Sequence, residues 1–336
     1  MKGKVYALLF SALIACGEDE KPNTPPVASF EFSDGIDRII LDGEMSNDSE
    51  GDPLVYQWSA SDGSITFNNT SDGESFFKIP AGLASIDVEI TLKVSDGKFQ
   101  DVKTRSVSVP ELSVVRSYGL GKSLENEVSN NVGYEWYLDQ SNSGEHSLVN
   151  CGPASVTMAI KWFDQNFTGS AQEARNTYRS SGGWWYTDDI INYLNSHHVN
   201  NRTIILDQIS NIKTEIDDGN IVILCLDMFE VSYFKDLEYH VNKFYETNGA
   251  GWGHFVVVKG YKEVDGTILY ETYDPYSFNR SYMAGGLKGK DRYYNSADLD
   301  AATNTWWDYA IVVNRSDSQG GRKGIDVDHI VHKPGQ

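Results

Sequence analysis

Basic residues are scarce in this chain, and their scarcity removes whole classes of function. Against 48 aspartates and glutamates stand 28 lysines and arginines, a formal net charge of −20 over 336 residues. Nucleic acid and anionic membrane surfaces require a basic patch to offset phosphate charge, so neither is expected as a partner. Calcium, cationic peptides or cell-wall amines suit the acidity better. Cysteine is rarer still: there are three, no two of them at zinc-ligand spacing, and no histidines recur at i, i+4 with a glutamate. A glycine-rich phosphate loop is missing as well, so neither a metal nor a cofactor is expected in the site. Apolar material is ample, at 40% hydrophobic and 12% aromatic residues. The length suits about two domains.

The apolar stretch 6–15 is too short to span a bilayer. It follows the basic start Met1-Lys2-Gly3-Lys4 and reads, to residue 16, as a secretory signal. Leu13-Ile14-Ala15-Cys16 resembles a bacterial lipobox, which implies that Cys16 becomes the lipidated first residue of the mature protein; an ordinary signal peptide or a short anchor is the other reading. Gly17-Glu18-Asp19-Glu20, in the linker 17–25, resembles the export tag of bacterial surface lipoproteins, and equally fits a solvated linker. These resemblances imply a protein of the bacterial cell envelope, anchored by lipid to the outer membrane and facing either the periplasm or the exterior. An acylated Cys16 leaves no disulfide framework despite export.

Residues 26–110 read as short strands between turns. Residues 27–32 and 88–94 alternate, and Asp34-Gly35, Asp42-Gly43, Asp62-Gly63, Asp72-Gly73 and Asp96-Gly97 punctuate the segment. An all-β sandwich follows from that spacing. Pro26-Val27-Ala28, the stretch 46–54, Tyr56-Gln57-Trp58 and the stretch 92–97 resemble a PKD-type immunoglobulin-like module. The resemblance implies a spacer or adhesion element with Trp58 in its core. The acidic turn Asp48, Glu50, Asp52 is either a calcium site or a solvated turn.

The stretch Asn150-Cys151-Gly152-Pro153-Ala154-Ser155 sets a cysteine immediately before an apolar run at helical spacing. Unpartnered N–H groups and the positive end of the helix dipole stabilise a thiolate there, and Pro153 suits an early helical position. Downstream, Gly253-His254-Phe255-Val256-Val257-Val258 puts a histidine at the mouth of a buried strand. After the turn Asp265-Gly266, a second strand over 267–273 ends at Asp274-Pro275. A hairpin brings the start of the first strand beside the end of the second, so His254 meets Asp274. The carboxylate would hold one imidazole nitrogen and leave the other to take the proton of Cys151.

Cys-Gly-Pro-Ala-Ser, Gly-His-Phe-Val-Val-Val-Lys-Gly-Tyr and Tyr-Asp-Pro, in that order, resemble the peptidases that process bacteriocin leaders, within the papain-like cysteine peptidases. The resemblance covers residues 118–315. It implies an α+β fold, a helical half followed by an antiparallel sheet half, and a peptide or protein substrate. It implies Cys151 as nucleophile, His254 as general base and Asp274 as its orienting residue. A glutamine upstream of the cysteine is implied as oxyanion donor, and Gln140 stands eleven residues before Cys151, further than the family places it. Asn142 and Asn150 are the alternatives. No transporter domain accompanies the peptidase segment, so cleavage after a double-glycine leader is not carried over.

An acyl transferase using the same triad is a second reading. A surface binding protein on an inactive peptidase scaffold, with Trp184-Trp185-Tyr186 and Trp306-Trp307 as its aromatic site, is a third. His240 is a weaker candidate base, His146 a residue for the rim of the cleft, and His197-His198 a helix end. Cys225, inside Ile221-Val222-Ile223-Leu224-Cys225-Leu226, reads as core. The polar, glycine-rich segment 316–336 is a tail without an assignable role.

Overall fold

The computed structural model describes residues 22–234, 238–305 and 308–315. Cys16, the signal segment, Trp306-Trp307 and the tail 316–336 lie outside the described residues. The chain divides into two units, Met1–Glu111 and Leu112–Gln336.

The first unit holds β1 (Glu31–Asp34), β2 (Arg38–Asp42), β3 (Val55–Ala60), β4 (Glu74–Lys78), β5 (Ile86–Ser95) and β6 (Gln100–Val109). They form two antiparallel three-stranded sheets, β1-β2-β4 and β3-β5-β6. The strand expected over 27–32 starts later, at Glu31, and Val27 makes only an isolated bridge to Asn47. Pro25 and Pro26 have no N–H to donate to a ladder, which delays the strand. In β5 the buried Val88, Ile90, Leu92 and Val94 alternate with more exposed residues. Trp58 is buried, meets Phe30 edge-on at 5.2 Å and donates its indole N–H to Asp72 O. In the acidic turn, Asp48 Oδ1 accepts from the backbone N–H groups of Glu50 and Asp52.

The second unit runs α1 (Val114–Ser117), β7 (Leu124–Ser129), α2 (Cys151–Phe163), α3 (Ala171–Thr177), α4 (Thr187–Ser196), β8 (Asn201–Ile205), α5 (Ser210–Asp217), β9 (Ile221–Asp227), β10 (Gly253–Val264), β11 (Thr267–Tyr273), β12 (Arg292–Asn295), α6 (Ser296–Asn304) and β13 (Tyr309–Val313). One sheet of seven strands has the order β12-β11-β10-β9-β13-β8, with β7 also on β10. All its pairings are antiparallel. The division into helices first and sheet second holds for α2 to α4 but not for β7, which precedes them and joins the sheet. The cause lies in β10: its first half pairs with β9, whereas its residues from Gly260 onward lie past the reach of β9 and pair with β7.

Both faces of the sheet are covered. Ile221, Ile223 and Cys225 of β9 pack with α2 and α4, while Val222, Leu224 and Leu226 pack with α5 and α6. An antiparallel sheet commonly leaves one face to water and alternates in sequence; burial on two faces explains the unbroken apolar run of β9. Ser170 and Glu173 close a reciprocal capping box that starts α3. Gly219, at φ 83°, ends α5 behind the buried Ile212 and Ile216.

Candidate active site

Cys151 is the first residue of α2, and His254 lies near enough to its thiol to lower the thiol's pKa. His254 is the second residue of β10, opposite Leu226 of β9. The β10–β11 hairpin turns at Asp265 (φ 49°) and Gly266 (φ 75°), a left-handed pair that a tight two-residue turn demands. Its register sets Val257 against Tyr273, so His254 and Asp274 arrive together, and His254 Nε2 donates to Asp274 Oδ1 at 2.6 Å. With Nε2 occupied, Nδ1 is the nitrogen that faces the thiol.

Burial penalises all three charges, and their mutual attraction overrides it. Burial acts to raise the Cys151 thiol, but His254 and the N–H groups of Phe255 and Gly152 hold it below the ordinary thiol value. Burial acts to lower His254, yet Asp274 and Cys151 lift it to about 10. Burial likewise pushes Asp274 up, while His254, Tyr294 and the Tyr276 N–H bring it below the usual carboxylate range. The three shifts all favour the charged arrangement, a thiolate–imidazolium pair beside a carboxylate, over the neutral one. Cys225, opposite Phe255 in β9, has no such partner, and burial raises its thiol well above the ordinary value.

Asp274 is saturated with donors. Besides His254, its Oδ1 accepts from Tyr276 N at 2.8 Å, and its Oδ2 accepts from Tyr294 OH at 2.6 Å and Tyr245 OH at 3.0 Å. Trp252 and Tyr276 stand 5.7 and 6.1 Å from the His254 ring and wall the pair off from water. Asp227, buried at the end of β9, accepts from the N–H groups of Gly251 and Trp252 and thereby fixes the approach to His254. Sequence reasoning missed Tyr245, Tyr294 and Asp227, because phenols and a turn carboxylate carry no spacing signal of their own.

The segment from Gln140 to Asn150 contains two single 3₁₀ turns, Gln140–Asn142 and Ser147–Val149. Gln140 is buried, its backbone N–H donates to Pro275 O, and its side-chain amide donates to Ser147 O at 2.9 Å. One amide hydrogen remains, and Oε1 has no partner. Asn150 is engaged on both sides: Nδ2 donates to Ser143 O and Oγ, and Oδ1 accepts from Arg175. No amide hydrogen of Asn150 is left for an oxyanion, which removes that alternative. Asn142 makes a 3.4 Å contact with Asn279 at the surface.

The other histidines among the described residues sit outside this cluster. His240 is sandwiched between Tyr118 and Tyr282, with ring centroids at 3.8 and 4.0 Å, and Nδ1 is engaged with Asp291 O. His197 caps the C-terminal end of α4. His146 lies against Gly182. Trp184 is half-exposed, whereas Trp185 is buried so closely on Gly152 that a Cβ there would stand 2.8 Å from it. Among the described residues no three His, Cys, Asp or Glu side chains converge as a metal site.

Residues 131–298 match the Peptidase_C39 like family. No curated protein matches the chain. A Bacillus anthracis protein described as a candidate C39-like peptidase is 14% identical, with 57% of this chain and 99% of that chain covered and a TM-score of 0.39. The PKD1 domain of Vibrio anguillarum Epp is 22% identical over 27% of this chain and 99% of its own, with a TM-score of 0.23.

Proposed function

Because the chain belongs to the Peptidase_C39 like family, we propose that it hydrolyses peptide bonds through a thioester on Cys151. The observation that carries the reading is the buried His254–Asp274 hydrogen bond set beside Cys151 at the start of α2. The Cys151 thiolate attacks the amide carbonyl, and the C–N bond breaks as the His254 imidazolium gives its proton to the leaving amine. Neutral His254 then takes a proton from water, whose oxygen displaces the thiolate and releases the acid. Asp274, kept anionic by its donors, holds the ring in one orientation throughout. The backbone N–H of Cys151 at the start of α2 and the remaining amide hydrogen of Gln140 are the donors for the oxyanion.

The PKD-type resemblance and the two small sheets around Trp58 support an N-terminal spacer module. Leu13-Ile14-Ala15-Cys16 supports export and lipid anchoring, with a peptide or protein in the envelope as substrate. The test is incubation of the purified protein with a random peptide pool. New carboxyl termini that are absent with Cys151→Ala support the hydrolase, new amide products mean transfer to an amine, and an unchanged pool overturns both enzyme readings.

A further inference from the structure

Arg175, on α3, is wholly buried and has no carboxylate partner among the described residues. Its Nε donates to Asn150 Oδ1 at 2.7 Å, Nη2 to Val149 O at 2.8 Å, and Nη1 to Gly183 O at 3.0 Å and Arg179 O at 3.3 Å. Every acceptor is neutral. Its guanidinium carbon lies 5.9 Å from the Trp185 ring, the ring that rests on Gly152. Asp189, the carboxylate facing this region from α4, is committed to Arg179 at 2.6 Å and to the Tyr186 N–H. A buried cation with only dipoles around it is costly to desolvate unless an anion offsets it. The anion adjoining the two residues that Arg175 grips is the Cys151 thiolate.

We propose that Arg175 is the internal counter-ion of the Cys151 thiolate and the positioning residue that holds the start of α2. This rests on the reading of Cys151 as the nucleophile. Arg175 reaches the thiolate through the field of its charge, and reaches the peptide N–H of Cys151 through Val149 and Asn150, the residues that lead into the helix. In keeping with this placement, burial depresses Arg175 and a Cys151 charge works against that depression. The other titratable groups around Cys151 and Arg175 are His254 from β10, Cys225 from β9, Asp189 from α4 and Arg179 from the loop after α3. The field matters at two points. It favours the thiolate before attack, and again when water expels that thiolate from the thioester.

The test is the pH dependence of iodoacetamide alkylation of Cys151 in the full protein, which needs no peptidase substrate. The wild-type profile tests the nucleophile itself: a Cys151 no faster than Cys225 overturns the reading beneath this one. Arg175→Met removes the charge and keeps much of the apolar stem. Its acid limb should move up by on the order of one pH unit, a roughly tenfold lower rate on that limb. Arg175→Gln, whose amide can still donate to Asn150, carries the same expectation should the Met variant fail to fold. Arg175→Lys retains charge but not the fork, so its acid limb should stay with the wild type while melting temperature falls. An unmoved acid limb in a folded neutral variant, or equal shifts in the Lys and neutral variants, would overturn the counter-ion role.

Discussion

At the scale of single residues, Asp274 separates charge from orientation. In Asp274→Asn an oxygen remains to accept from His254 Nε2, and the phenols of Tyr245 and Tyr294 can rotate to accept from the amide. Asp274→Ala instead leaves two buried phenols, the Tyr276 N–H and an imidazole N–H unpaired, at about 1–3 kcal/mol for each orphaned group. Turnover should therefore rank wild type, Asn, Ala, and the Ala variant alone should melt markedly earlier. The pH profile of kcat/KM adds an independent check. His254 is held up to about 10, so the imidazolium that protonates the leaving group persists to that point and the alkaline limb should lie near it. Without the carboxylate charge the same limb should move toward neutrality in Asp274→Asn. Gln140→Ala should lower kcat by roughly 100-fold and leave alkylation nearly unchanged, since alkylation builds no oxyanion. Equal losses in both rates would mark Gln140 as structural. The meeting of His254 with Asp274 was legible in sequence, because a two-residue turn converts spacing into proximity. The grip of Arg175 on Asn150 was not, because that contact depends on how α3 is laid against α2 and no local pattern encodes it.

Among the elements, α2 carries the most tightly constrained position. Alanine normally stabilises a helix relative to glycine, by up to about 1 kcal/mol. At Gly152 a Cβ would lie 2.8 Å from Trp185 Cβ and 3.4 Å from Phe255 Cδ2. Gly152→Ala should thus reverse the usual sign and cost about 1–3 kcal/mol in chemical unfolding, with lower activity because Phe255 adjoins His254. Helix and strand existence followed from periodicity and caps: the Ser170–Glu173 box and the apolar run of β9 were readable as such. The partner of β7 was not readable, since which half of β10 stays unpaired is decided by how far β9 extends alongside it.

For the molecule as a whole, each unit buries its own apolar residues, Trp58 and the β5 row in one and the two faces of the seven-stranded sheet in the other. Residues 112–336 alone should keep kcat/KM within about twofold of the longer protein, as independent domains do. A loss of more than tenfold would assign the N-terminal unit a part in catalysis. Cys16→Ser should move the protein from the membrane fraction to the soluble fraction, and an unchanged distribution would rule out the lipid anchor. The long separation of Cys151 from His254 and Asp274 also has a temporal consequence. At ordinary translation rates Cys151 leaves the ribosome on the order of ten seconds before Asp274. Until the β10–β11 hairpin docks on α2, the nascent chain carries an ordinary thiol, so its hydrolytic power stays latent up to that folding step.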